Sequence, residues 1–351
     1  MTGLACVFVI PGDINTPTGG YIYDRKLIDQ LRKQNLDVEL ISLQGSFPNP
    51  TENDQRLAVE AFSNLLAYTP VIIDGLAFGA MEKEVVSSIS APIIALVHHP
   101  LAHEGGLDEK TRQRLFDSEY KNLQKASRVL VPSSHTKKLL VNEYLVDEKI
   151  ITVANPGFDL SPVGRVAIEP PLIFSVGSLI HRKGHDVLLK ALSKITHLPW
   201  QAVIAGSARD QEYFEELIDL RALLGLESRV EFVGEVDQQQ LTEYYSKATL
   251  FALATRHEGY GMVFDEAMSY GLPIITCDSG AVLETVGEKA ALVVEPDSDE
   301  SFAEAISRVL ENQETYQAMS KSALERTSTL NDWSMTASHF ISAIESLSGQ
   351  R

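Results

Sequence analysis

The residues best suited to chemistry lie between Arg256 and Ala267, where Glu258 and Glu266, eight positions apart, bracket the turn Gly259-Tyr260-Gly261. The run that begins Met262-Val263 then reads as a helix. A glycine turn opening a helix leaves backbone N–H groups facing an anion. Carboxylates accept hydrogen bonds from hydroxyl-rich ligands. Glu258 falls in the loop and Glu266 about one turn inside the helix, so both can face one cleft. The combination suits a sugar joined to a phosphate.

Three further segments carry side chains of this kind. Gly177-Ser178 leads through Arg182-Lys183-Gly184 into a helix, and two cations beside a helix N-terminus form a good diphosphate site. An Arg-Lys pair is otherwise an ordinary solvated loop; its place in a strand-to-helix turn, with the paired glutamates downstream, favours the site. Gly19-Gly20 follows the first strand and precedes a helix expected to begin near Tyr21. Paired glycines admit close backbone approach to a ligand, although the same turn serves any permissive βα loop, and no Gly-x-Gly-x-x-Gly or Walker pattern accompanies it. His98-His99 and His103 stand where a buried strand meets its C-terminal loop, and open α/β sheets bind ligands there. Their spacing is weak for metal, and no metal site is expected.

The elements that must position these residues alternate along the chain. Strands are expected at Cys6–Ile10, Val38–Ser42, Val71–Asp74, Ile93–Val97, Val129–Pro132 and Ile150–Ala154, then at Ile173–Gly177, Ala202–Ala205, Val230–Val233, Leu250–Leu253, Ile274–Cys277 and Leu292–Val294. Near-continuous apolar strands separated by amphipathic helices are the pattern of parallel, doubly wound sheets buried on both faces. Asn155-Pro156-Gly157, Ser161-Pro162 and Glu169-Pro170-Pro171 form a breaker-rich hinge. The organisation expected is therefore α/β, with a first Rossmann-like domain over 1–156, a linker over 157–170 and a second Rossmann-like domain over 171–331. A terminal amphipathic helix follows over about 332–351.

A chain of 351 residues exceeds what one core usually supports. With 44% hydrophobic residues and a mean hydropathy of -0.04 it reads as globular, without a membrane-spanning run. The start, Met1-Thr2-Gly3, lacks a basic leader, so a cytoplasmic location is expected. Two cysteines, Cys6 and Cys277, fall in strands of different halves and read as buried thiols. A net charge of -18 opposes binding to nucleic acid or to anionic membrane at large, and leaves local peripheral membrane contact open.

The ordered set of a Gly-Gly loop, a histidine after a middle strand, Lys183-Gly184, Glu258-x7-Glu266, Gly271-x-Pro273 and a terminal helix resembles the retaining glycosyltransferases of group 1, family 4, across nearly the whole chain. The resemblance implies the GT-B architecture: two Rossmann-like domains facing across a cleft, the terminal helix returning to the first. The first domain would take the acceptor and the second a nucleotide diphosphate sugar, UDP- or GDP-linked, as co-substrate. No tightly bound cofactor is implied. It implies that Lys183, helped by Arg182, neutralises the donor diphosphate and that Gly19 and Gly20 lie against the phosphates and reacting sugar. His98, rather than His99, would orient the sugar. Glu258 would approach the sugar hydroxyls and Glu266 the ribose, with Gly177, Ser178, Gly259, Tyr260, Gly261, Met262 and Val263 completing the donor site. Two departures stand out: Ser178 where many relatives carry arginine, and Gly280-Ala281 where Gly-Gly is usual. The activity implied is retaining transfer of a hexosyl group to a hydroxyl of a sugar, glycan or small molecule, with Lys183→Ala abolishing transfer and sparing the fold. The alternatives are a phosphorylase or a sugar-nucleotide epimerase or hydrolase on the same scaffold, revealed by phosphate dependence or acceptor-free nucleotide release, and a non-catalytic nucleotide-sugar-binding protein. Acceptor identity and oligomeric state are not legible.

Overall fold

The computed structural model describes residues 4–45, 47–159, 164–166 and 168–348. Met1-Thr2-Gly3, Ser161-Pro162 of the expected hinge and the last three residues of the expected terminal helix lie outside them. The chain divides into two compact units, Met1–Gly157 with Asn331–Arg351, and Phe158–Leu330.

The first unit is built on β1 (Ala5–Pro11), α1 (Gly19–Lys33), β2 (Asp37–Leu43), α2 (Glu52–Phe62), β3 (Val71–Asp74), α3 (Gly75–Phe78), α4 (Lys83–Ser87), β4 (Ile93–Leu96), α5 (Glu109–Leu123), β5 (Arg128–Val131), α6 (Ser134–Asn142) and β6 (Ile151–Val153). All its strands are parallel, in the order β2-β1-β3-β4-β5-β6. The chain reverses direction across the sheet between β1 and β3, and the loops after such strands form the ligand crevice of a doubly wound sheet. Every residue of β3 and β4 is buried, as strands covered on both faces must be, whereas edge strand β2 alternates toward solvent. The helix over Gly19-Gly20 starts two residues earlier than Tyr21, so these glycines form the first turn of α1 rather than a loop.

The second unit comprises β7 (Leu172–Val176), α7 (His185–Lys194), β8 (Gln201–Ala205), α8 (Gln211–Leu223), β9 (Val230–Gly234), α9 (Gln238–Lys247), β10 (Leu250–Leu253), α10 (Met262–Ser269), β11 (Ile274–Cys277), α11 (Val282–Ala290), β12 (Ala291–Val294), α12 (Asp299–Glu311) and α13 (Gln313–Thr327). Its parallel sheet runs β12-β11-β10-β7-β8-β9, the strand order of dinucleotide-binding sheets, with reversal between β7 and β10. Two apolar layers sandwich it. One gathers Leu188, Leu192, Trp200, Ile204 and Phe302, the other Phe174, Tyr245, Phe251, Phe264 and Met268. The last helix, α14 (Trp333–Ser348), rejoins the first unit. Its Trp333 backbone lies so close to Gly157 that a Cβ there would sit 2.3 Å from the Trp333 nitrogen, and the indole meets Tyr23 edge-on at 5.3 Å. No helix of the described residues is long and apolar enough to cross a membrane.

Candidate functional site

In the second unit the candidate residues gather where β7 and β10 end. Beyond β7 the chain passes Gly177-Ser178, makes a single helical turn over His181–Lys183 and enters α7 through Gly184. Gly184 has φ 66°, and a Cβ on it would lie 1.9 Å from the Ala254 carbonyl oxygen, so this turn closes onto the exit of β10 only around glycine. The closure sends Lys183 across to the neighbouring loop, where Nζ is 2.5 Å from Glu258 Oε1. Arg182 Nη1 donates to the His257 carbonyl at 2.8 Å and lies 3.8 Å from Glu258 Oε2. The Thr255 hydroxyl is 3.0 Å from Glu258 Oε1. On the far side Gly280, with φ 62°, lets the chain pass where a Cβ would be 2.2 Å from the Glu258 carbonyl oxygen, and Ala281 N–H donates to that oxygen at 2.8 Å. Burial favours the protonated form of Glu258, but Lys183 and Arg182 outweigh it and hold the carboxyl below its usual range.

Arg256 locks these two loops together. Its N–H donates to the Arg182 carbonyl at 2.8 Å, its Nη1 to the His181 carbonyl at 2.5 Å, and its guanidinium grips both oxygens of Asp186 at 3.0 Å. Burial alone would raise Asp186; Arg256 and the Tyr213 hydroxyl, 2.8 Å from Oδ1, bring it down to about 2. His185, fully buried at the first position of α7, is pushed to about 4 by burial and by Lys183, so it stays neutral behind the cationic turn.

Glu266 takes a different partner. Its Oε2 accepts from the Tyr245 hydroxyl of α9 at 2.8 Å, and burial raises its carboxyl. Gly261, with φ 91°, is the left-handed entry to α10, where a Cβ would strike the Phe264 ring at 2.6 Å. Tyr260 and Phe264 are buried, while Gly259, Met262 and Val263 are half-buried at the mouth of the helix. Helices α2, α5, α6, α8, α9, α12 and α13 start with a side chain bonded to the first turn, whereas Thr18, Gly184 and Gly261 offer no such cap to α1, α7 and α10. Helices α4 and α11 also start without a side-chain cap, but α1, α7 and α10 are the ones that follow the strands at the reversal points and open Gly19-Gly20, Lys183-Gly184 and Gly259-Tyr260-Gly261; their first N–H groups suit an anion.

In the first unit His98, at the exit of β4, directs Nε2 toward Asp24 Oδ1 of α1 at 3.1 Å and Asp74 Oδ2 at the end of β3 at 3.3 Å. Gly20 allows this, since a Cβ there would be 3.3 Å from the imidazole Cδ2. His99 turns instead to Glu104 at 3.1 Å, and His103 to Glu143, just past the end of α6, at 3.1 Å. The ligand-type atoms of Asp24, Asp74 and His98 lie within 4.8 Å of one another, a span a small cation could bridge, but the distances to Nε2 are those of hydrogen bonds.

Residues 161–326, most of the second unit, match the family model for group 1 glycosyl transferases. The second unit is a group 1 glycosyltransferase domain. The mannosylfructose-phosphate synthase of Agrobacterium fabrum is 25% identical over 227 residues, covering 59% of this chain and 50% of that protein. The chain spans about half the length of the curated relatives it matches. In fold it is similar to sucrose-phosphate synthase from Thermosynechococcus elongatus, with a TM-score of 0.83 at 20% identity over 97% of this chain and 99% of that one. It is likewise similar to HepE of Anabaena in complex with UDP and glucose, with a TM-score of 0.76 at 16% identity over 97% and 100%. The two six-stranded parallel sheets with their helices are those of the GT-B fold.

Within the group 1 domain, therefore, Arg182, Lys183 and Glu258 come together with Gly177 against the lysine stem, while Glu266 is bound to α9. Sequence reasoning passed over Thr255, the Arg256–Asp186 pair, and Asp24 and Asp74. Asp24 did carry a signal: it shares the face of Leu27, Ile28 and Leu31, where an acid is out of place without a partner. Asp74 ends a strand that is otherwise wholly apolar.

Proposed function

We propose that this protein transfers a glycosyl group, with retention, from a nucleoside diphosphate sugar to a hydroxyl acceptor. The observation that carries the reading is the meeting of Lys183, Arg182 and Glu258 at the strand-order reversal of the group 1 domain, beside the uncapped starts of α7 and α10. In this reading Lys183, Arg182 and the helix N–H groups neutralise the diphosphate as the glycosidic bond breaks; such fixed donors usually supply the largest catalytic term. Glu258 receives sugar hydroxyls and Glu266 the ribose, with Tyr245 fixing the orientation of the Glu266 carboxylate. The departing phosphate oxygen takes the acceptor's proton as the new bond forms on the face the phosphate leaves, so no protein nucleophile is needed. His98 and the first turn of α1 address the reacting sugar. The UDP complex of HepE and the sugar-phosphate products in the names of two relatives support a nucleotide donor and a soluble carbohydrate acceptor.

Thermal shift against UDP, GDP, ADP and their sugar conjugates tests the donor, because a ligand that binds only the native state raises its stability. One nucleotide family should stabilise the wild type and fail with Lys183→Met. Binding that is absent for all of them, confirmed by calorimetry, would reject the reading.

A further inference from the structure

His98 of the first unit is enclosed by two buried acids, and burial and the neighbouring Asp74 push the Asp24 carboxyl itself up to about 7, so the pair shares its negative charge with the imidazole. Its Nε2 lies between Asp24 Oδ1 and Asp74 Oδ2, at 3.1 and 3.3 Å, and both aspartates are buried. The ring has little freedom: Gly20 backs it, Tyr23 meets it edge-on at 5.1 Å, and the Tyr23 hydroxyl is committed to the Ala154 carbonyl at 2.8 Å. Asp74 is itself fixed, since its Oδ1 accepts the Leu76 N–H at 2.9 Å. The elements around the imidazole present Asp24 and Tyr23 from α1 and Asp74 from β3, and burial keeps the Tyr23 hydroxyl neutral. A buried carboxylate stays charged only beside a paired positive group. Burial opposes charge on His98, but the two acids raise its proton affinity well above that of an ordinary histidine.

We propose that Asp24 and Asp74 are positioning residues that hold His98 as an imidazolium across the neutral pH range, leaving its second ring N–H as a permanent hydrogen-bond donor for the reacting sugar. The use of that donor in transfer rests on the function proposed above; the charge state does not. An ordinary histidine titrates near physiological pH and would lose this N–H for part of the time, in a tautomer-dependent way. A histidine clamped between two acids does not, so turnover should be insensitive to this group from about pH 5.5 to 8.

The test is nitrogen NMR of the His98 ring in the full chain, wild type against Asp74→Asn and Asp24→Asn. Asparagine preserves shape, and at position 74 it preserves the bond to Leu76. The wild-type ring should keep the imidazolium signature throughout that range. Either variant should lower its midpoint by at least one pH unit, about a tenfold fall in proton affinity. A wild-type ring that titrates like a free histidine, or a midpoint unmoved in both variants, overturns the proposal. With UDP-glucose as probe donor, Asp74→Asn should add a falling limb to the kcat profile above the new midpoint, with KM less affected. A flat variant profile removes His98 protonation from the reaction. If no nucleotide sugar is turned over by the wild type, the transfer reading fails, and the NMR result still decides the charge state.

Discussion

Replacing Lys183 by methionine keeps the packing of the aliphatic stem beside Gly177 and removes only the charge 2.5 Å from Glu258. The two side chains are 12% and 6% exposed, so solvent screening does not erase the pair. Breaking a buried ion pair by deleting one member costs about 3–5 kcal/mol, because the other charge is stranded. Here Arg182 at 3.8 Å and the Thr255 hydroxyl at 3.0 Å still serve Glu258. The loss should therefore fall at or just below the lower end, about 2–3 kcal/mol. Transfer would be lost, but the fold would not be untouched, contrary to what a solvated loop lysine implies. Chemical denaturation in a Trp333→Phe background reads the second unit alone, since Trp200 is then the remaining tryptophan. Glu258→Gln in the same background should restore much of the lost stability, the signature of coupling in a double-mutant cycle. The folded carboxyl lies below its unfolded value, so the pair's contribution is present above about pH 4.5 and disappears as pH falls through the folded value; the wild-type advantage should narrow there. A Lys183→Met variant within about 0.5 kcal/mol of wild type at neutral pH, the range of an ordinary surface substitution, would refute the buried pair.

Gly184→Ala should lower the melting temperature of the second unit far more than Gly225→Ala: both have φ 66°, costing about 1–3 kcal/mol, but only Gly184 meets a backbone oxygen, at 1.9 Å. Equal losses would deny that the Lys183 turn is wedged against β10. In the first unit, buried Glu119 of α5 accepts the Leu101 N–H at 2.9 Å, and burial pushes its carboxyl up to about 8. Between the unfolded value near 4.5 and the folded one the unfolded chain releases a proton that the native state keeps, so stability falls as pH rises, by at most about 1.4 kcal/mol per unit. Glu119→Gln keeps the acceptor for Leu101 and should flatten that slope in Trp333 fluorescence melts; a slope unchanged from wild type would place the ionised group elsewhere.

The sequence by itself determined the twelve strands of the described residues and their order along the chain, because buried parallel strands are short apolar runs between amphipathic helices and that pattern is local. It also marked the glycines at 184 and 261, whose left-handed backbone other residues resist, and the cationic and acidic residues flanking them. The first helix began earlier than Tyr21 because Thr18 and the glycines tolerate its opening turn without a side-chain cap. Only the tertiary structure decided partnerships. The parallel order placing β7 beside β10 brings Lys183 to Glu258 across 75 residues, and that placing β1 beside β3, and β3 beside β4, brings His98 to Asp24 across 74. It also parted Glu258 from Glu266, similar in sequence, by giving one to a lysine and the other to Tyr245. Hydrophobic periodicity specifies which face of an element is buried, but a polar residue on that face finds its counter-charge only when the sheet order sets which loops become neighbours.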